Sequence, residues 1–262
     1  MSVTASDGAA GVLSQTPHRA AVFTDFDGTL APIVDDPATA VPLPNAVAAL
    51  SRLATGIGRV GVLSGRPLTF LERFFTDDVF LAGLYGLEVR DRGERRTDED
   101  VAPWQDVVAA TALEARRYGP SQVDVEDKGL SLTLHYRRHP ECADEALAWA
   151  DLAAQRTGLV VRTARRSVEL HPPVDVDKGT ALAGAVGDLD AVWFIGDDVG
   201  DLPAFAVLDR LAHQGVQVVR CVVTSDELDP VLASHADVTL AGPEAVAAYL
   251  HELAELAEVR RI

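Results

Sequence analysis

Two carboxylates one residue apart, Asp25 and Asp27, close the apolar β-rich stretch Ala21-Val-Phe-Thr-Asp-Phe-Asp-Gly-Thr-Leu30. Alternate residues of a strand share a face, so the pair points to one side. Like charges placed that close are costly unless a cation or a shared proton relieves them, which argues for a bound divalent metal. Gly28 lets the backbone turn, and Thr29 offers a hydroxyl and an N–H to an anion. Two more polar clusters follow apolar runs. Ser64-Gly-Arg-Pro67 ends the run Arg59–Leu63; the Ser64 hydroxyl could donate to a phosphate oxygen, and Arg66 could orient a substrate. Gly196-Asp-Asp-Val-Gly-Asp201 ends Ala191–Ile195 and supplies Asp197, Asp198 and Asp201. Lys178 opens a helix between these two clusters. The basic residues are 21 Arg and two Lys, Lys128 and Lys178. Each lysine is therefore a candidate for a place that wants a compact ammonium rather than a planar fork. Phosphoryl transfer to a carboxylate uses this set of parts. An oxygen-rich octahedral site holds Mg2+, a hydroxyl and an ammonium neutralise the equatorial oxygens, and a second carboxylate manages protons.

The elements that must position these groups read as strands feeding loops, the place where open α/β sheets keep their ligand crevice. After β-rich 21–24, Asn45 looks like the N-cap of a helix through Leu53, and Pro67 suits the first turn of a helix to about Phe75. Phe80–Val89 is a third apolar strand, interrupted by Gly83 and Gly86, which permit a sharp bend. Residues 90–100 turn abruptly to charge, as a crossing between domains or a solvated hairpin. From 101 to 173 the grammar changes: helices over Trp104–Tyr118 and Ala143–Arg156 alternate with paired strands over Gln122–Val125, Ser131–Tyr136, Val160–Thr163 and Val168–His171. Helix followed by two strands, given twice, is an α+β unit with an antiparallel sheet. Alternating strand and helix resume at Val176 and run to a last helix, Pro243 to about Val259. The expected fold is α/β: a doubly wound, Rossmann-like parallel-sheet core over 18–97 and 174–262, an inserted α+β cap over 98–173, and a disordered tail over 1–17.

Composition narrows the function classes. At 262 residues, 48% hydrophobic and 24% charged, the chain has the balance of a soluble globular protein. A net charge of −17 argues against nucleic acid and an anionic membrane surface, but a metal and a few cations can override that field locally for a phosphorylated substrate. No apolar run approaches the ~20 residues of a membrane span, and the first 17 residues lack the pattern of a secretory signal. Two cysteines, Cys142 and Cys221, suggest neither a disulfide framework nor a metal knuckle, in keeping with a reducing cytoplasm.

The string DxDGTL at residues 25–30 resembles the haloacid-dehalogenase-like phosphatases. The resemblance implies Asp25 as the nucleophile that becomes phosphorylated and Asp27 as general acid and base. It implies Ser64 as the phosphate-binding hydroxyl and Lys178 as the charge clamp. Metal ligation would fall to Asp25, the Asp27 carbonyl, Asp197 and Asp201, with Asp198 close behind. A narrower resemblance, over nearly all of 20–255, is to trehalose-6-phosphate phosphatases. Its carriers are Asp27-Gly-Thr-Leu-Ala-Pro-Ile33, Ser64-Gly-Arg66, Gly83-Leu-Tyr-Gly-Leu-Glu88, Glu126-Asp-Lys-Gly-Leu-Ser-Leu-Thr-Leu-His-Tyr-Arg137, Val168-Glu-Leu-His-Pro172 and Lys178-Gly-Thr-Ala-Leu182. It implies a Mg2+-dependent enzyme of trehalose biosynthesis, and the chain is expected to be a cytoplasmic monomer. Gly65 and Arg66 would then lie at the substrate, while Glu126, Lys128 and Glu169 grip sugar hydroxyls with Arg137 nearby. Carboxylates and an ammonium suit such a ligand, because each hydroxyl both donates and accepts. Two positions depart from the family pattern: Tyr85 stands where His is usual, and Gly200-Asp-Leu202 where Thr-Asp-Glu is usual. Related readings are a phosphatase for sucrose 6-phosphate or a glycosyl phosphoglycerate, and a non-catalytic sugar-phosphate sensor. Intact Asp25, Asp27, Lys178 and Asp197 count against the sensor.

Overall fold

The computed structural model describes residues 4–164, 166–225 and 229–258. Where a disordered tail was expected, the chain opens on helix α1 (Thr4–Gln15). Ala9 and Leu13, one helical turn apart, are fully buried in the main core, and this apolar face is what orders the segment. Strand β1 (Ala20–Thr24), helix α2 (Pro44–Gly56), β2 (Arg59–Leu63), helix α3 (Leu68–Leu71), β3 (Phe80–Gly83), β4 (Glu88–Asp91) and β5 (Glu94–Thr97) follow. The expected cap at Asn45 is corrected. Leu43 precedes the helix and Pro44 takes its first position, where a missing N–H costs nothing; the Asn45 side chain accepts a bond from Ala46 N at 3.1 Å. α3 is also a single turn and not a helix to Phe75. The carbonyls of Phe75 and Thr76 accept from the buried Arg90 guanidinium (3.1 and 2.6 Å) instead of continuing a helix.

The apolar run 80–89 is two strands. Between them Leu84 (φ 48°), Tyr85 (φ 63°) and Gly86 (φ 118°) make the sharp bend, and β4 returns antiparallel to β3. The charged stretch is the solvated hairpin: β4 and β5 are joined through Arg92 (φ 51°) and Gly93 (φ 82°), the left-handed pair of a tight hairpin turn.

The next elements are α4 (Gln105–Tyr118), β6 (Asp124–Asp127), β7 (Leu132–His135), α5 (Ala143–Thr157), β8 (Val160–Ala164) and β9 (Ser167–His171). β6 starts two residues late because Val123 N closes a turn onto Pro120 O at 3.2 Å. Last come α6 (Lys178–Val186), β10 (Ala191–Gly196), α7 (Leu202–His213), β11 (Gln217–Thr224), α8 (Pro230–Ala233), β12 (Val238–Ala241) and α9 (Gly242–Glu258). The final helix ends at Glu258, and the expected end at Val259 lies outside the described residues.

The chain forms two compact units, one of Met1–Arg96 with Val176–Ile262 and one of Thr97–Asp175. The larger holds an eight-stranded sheet in the order β12-β11-β10-β1-β2-β3-β4-β5, parallel from β12 to β3. Alternate residues serve opposite faces. Val22, Trp193 and Ile195 pack with α1, α2 and α9, while Phe23, Val192 and Phe194 pack with α6 and α7. Covering both faces explains why β1 and β10 are buried along their whole length. The smaller unit holds a four-stranded sheet β6-β7-β9-β8. Leu132, Leu134, Val168 and Leu170 cover one face of it with Val108 and Ala112 of α4 and Ala146 and Ala150 of α5.

Candidate active site

At the carboxyl end of β1 the ladder continues one residue: Asp25 N donates to Ile195 O at 2.8 Å. This fixes the Asp25 backbone between the ends of β10 and β2. Its side chain accepts from Lys178 Nζ at 2.6 Å, and the same ammonium donates to Asp201 Oδ1 at 2.7 Å. Lys178 is the first residue of α6, which Asp177 caps reciprocally: Asp177 Oδ1 accepts from Thr180 N (2.8 Å) and Thr180 Oγ1 from Asp177 N (2.9 Å). The cap sets where α6 begins, and so where the ammonium points. Beyond β10, Asp201 Oδ2 accepts from the backbone N–H groups of Asp197 (2.9 Å) and Asp198 (3.2 Å). Asp198 in turn accepts from Gly200 N at 2.8 Å.

The result is a buried acidic triad. One carboxylate oxygen each from Asp25, Asp197 and Asp201 lies within 4.8 Å of the others. Such an all-oxygen set is the chemistry a hard divalent cation selects. Gly28 has φ +82°, and a Cβ there would stand 2.1 Å from Asp197 Oδ2, so the turn after β1 passes directly against the triad.

Electrostatics match the crowding. Burial raises the Asp25 pKa well above the carboxylate range; Lys178 opposes this, and Asp201, Asp197 and Asp198 add to it. Asp201 is raised for the same leading reason, burial, against Lys178. Burial works against the Lys178 charge, but Asp201, Asp25 and Asp198 outweigh it and hold the ammonium protonated. The site has more negative charge than one lysine neutralises.

Asp27 and Asp198 stand outside the triad. The Asp27 carboxylate turns to Arg66, whose Nε and Nη2 donate to its two oxygens at 2.7 Å each. Ser64 Oγ, beside Asp25 on the next strand end, accepts from Arg66 N at 3.1 Å. Thr29 Oγ1, expected to serve an anion, is buried with no hydrogen-bond partner.

The sugar-gripping candidates lie in the smaller unit, on the sheet face away from its helices. Lys128 Nζ is 3.6 Å from Glu169 Oε1, which also accepts from Ser131 Oγ at 2.6 Å. Glu126 pairs with His135 Nε2 at 2.8 Å. Glu126, Thr133, Glu169 and Arg162 form one row across the four strands. Arg137 sits in the turn after β7, half-buried. Ser131 and His135 contact Glu169 and Glu126 on this face and were not among the expected candidates. Their signal was the alternation Ser131, Thr133, His135 against Leu132 and Leu134.

The family model described as trehalose-phosphatase matches residues 23–236. The chain belongs to the trehalose-phosphatase family. A trehalose-phosphate phosphatase of Mycobacterium ulcerans is 37% identical over 216 residues, 78% of this chain and 54% of the relative. One of Mycobacterium leprae is 34% identical over 263 residues, 94% and 60%. The chain thus spans little more than half the length of these relatives. Among solved structures, a trehalose-6-phosphate phosphatase related protein has a TM-score of 0.76 at 20% identity, covering 90% of this chain and 97% of its own. The C-terminal domain of the Candida albicans trehalose-6-phosphate phosphatase has 0.74 at 24%, covering 94% and 96%. At these identities the two share the fold.

In this member of the trehalose-phosphatase family the two departing positions both touch the site loops. Tyr85 N donates to Ser64 O at 2.9 Å, and its ring lies against Gly65, where a Cβ would come within 2.8 Å of the phenol. Gly200 N donates to Asp198 Oδ1, and Leu202 begins α7.

Proposed function

We propose that this chain hydrolyses trehalose 6-phosphate to trehalose and inorganic phosphate through an aspartyl-phosphate on Asp25. The observation that carries the reading is the buried Lys178 ammonium bridging Asp25 and Asp201 beside Asp197. That arrangement keeps a carboxylate nucleophile next to a fixed cation where a phosphoryl group would dock. An Asp25 carboxylate oxygen attacks phosphorus and the bond to the sugar oxygen breaks, that oxygen taking a proton from Asp27. Asp27, now a carboxylate, takes a proton from water; the water oxygen attacks phosphorus, and the Asp25–phosphorus bond breaks to release phosphate. Lys178 and Ser64 hold the equatorial oxygens. Asp25, Asp197 and Asp201, with the Asp27 carbonyl and Asp198 alongside, would hold Mg2+, for which an all-oxygen, over-negative triad is suited. When bound, the metal neutralises charge on the carboxylates and the phosphoryl group. In the smaller unit Glu126, Lys128, Glu169 and Arg137 bind sugar hydroxyls, and Gly65 lies near the phosphate. The core domain corresponds to the unit Met1–Arg96 with Val176–Ile262, α1 included, and the cap to Thr97–Asp175; the enzyme works as a monomer in the cytoplasm. Among the described residues no helix is long and apolar enough to cross a membrane.

The test is phosphate release from a panel of sugar phosphates with and without Mg2+. Metal-dependent preference for trehalose 6-phosphate is expected. Equal rates on sucrose 6-phosphate or a glycosyl phosphoglycerate would discard the substrate and keep the chemistry. No release from any would leave a sugar-phosphate sensor.

A further inference from the structure

The sequence led us to expect Arg66 at the substrate, yet its guanidinium is committed within the protein. Nε and Nη2 meet the two oxygens of Asp27 fork to fork, Nη1 donates to Pro37 O at 2.7 Å, and the guanidinium carbon lies 4.7 Å over the Phe70 ring. Its backbone is tied as well: N–H to Ser64 Oγ, and O accepting from Leu84 N at 2.9 Å. The arginine side chain is 9% exposed and the aspartate 32%. So the anchored member of the pair is the cation, and the member open to a ligand is the carboxylate.

We infer that Arg66 is a positioning residue for Asp27: it fixes the plane of that carboxylate toward the leaving oxygen and the water, and does not itself hold the sugar phosphate. The inference rests on the reading of Asp27 as proton donor and acceptor. Two parallel N–H···O bonds define a plane as well as a distance, which a lysine ammonium cannot do. An acid–base group gains its rate factor only from correct placement. The pairing spans 39 positions, so nothing local in the sequence announces it.

Purified R66M and R66K, each assayed with trehalose 6-phosphate and Mg2+, give the first readout. Positioning predicts kcat reduced by roughly 100-fold in R66M, as for a misplaced catalytic group. KM should stay within about threefold, and R66K, which keeps one bond, should fall between R66M and wild type. Calorimetric binding of trehalose 6-phosphate to inactive D27N and to D27N/R66M gives the second, and equal affinity is expected. A tenfold or greater loss of affinity in the double variant, or a raised KM with kcat kept, would overturn the inference and return Arg66 to the substrate. Because Arg66 also braces Pro37 and Phe70, the Asp27 rotamer in an R66M crystal structure decides independently of activity. A rotated carboxylate on an unmoved β1 supports positioning, and an unmoved one refutes it. A wild-type chain inactive on every sugar phosphate would instead refute the proposed function, leaving that rotamer to judge the pairing.

Discussion

Lys178 is the single ammonium among buried Asp25, Asp197 and Asp201, so its removal should be felt both in stability and in turnover. Breaking a buried pair by deleting one partner costs about 3–5 kcal/mol, since the surviving charge is stranded. K178M should therefore unfold at lower urea in metal-free buffer, recover part of that loss when Mg2+ is added, and still lose roughly 10²–10³ in kcat, the cost of one missing transition-state donor. D27N should behave in the opposite sense. Its carboxylate is partly exposed and outside the triad, so the fold and the Mg2+ response should survive while kcat falls by about 10²–10⁴. Retained turnover in D27N would remove Asp27 from proton transfer.

At the scale of elements, the capping of α6 and the burial of β9 make separate predictions. D177A deletes the side chain that accepts from Thr180 N, and should cost about 1 kcal/mol in thermal or urea unfolding, with kcat lowered because the Lys178 turn frays. His171, on β9, is held below the ordinary imidazole pKa by burial and by Arg162, while its Nδ1–H donates to Pro172 O at 2.8 Å. A depressed folded pKa means the unfolded chain takes up the proton first. The stability tied to the neutral ring is complete above the unfolded value of about 6.5 and is lost as pH falls through the lower folded one. Wild type minus H171N in unfolding free energy should thus shrink as pH drops from neutrality toward 5. A flat difference would show that His171 does not titrate this way. Much of this architecture was legible in the chain: apolar runs stopping at Asp25, Ser64 and Gly196 put three polar clusters at three strand ends, which the parallel order β10-β1-β2 then sets side by side. What escaped was decided elsewhere. Asn45 competes with Pro44 for a helix start, the stretch after α3 gives its Phe75 and Thr76 carbonyls to Arg90, and α1 is ordered by a core whose other walls are distant in sequence. The Arg66–Asp27 fork, 39 positions apart, escaped for the same reason.

For the molecule as a whole, an over-negative triad in a chain of net charge −17 should make a divalent cation a folding ligand. A ligand that binds the folded state alone adds about 2.7 kcal/mol at a hundred times its Kd. Scanning calorimetry should show a Mg2+-dependent rise in Tm beyond that from NaCl of equal ionic strength, and D197N should lose it. The scarcity of lysine has a practical corollary. Lys128 and Lys178 have side chains only 8% and 4% exposed, and the remaining 21 basic side chains are arginines. To a lysine-directed acylating reagent the folded surface is thus nearly blank, although it carries ample positive charge. Labelling of these two ε-amines would have to wait for the fold to open, so its rate would serve as a clock for local unfolding, with the Lys178 adduct timing the core unit and the Lys128 adduct timing the smaller one.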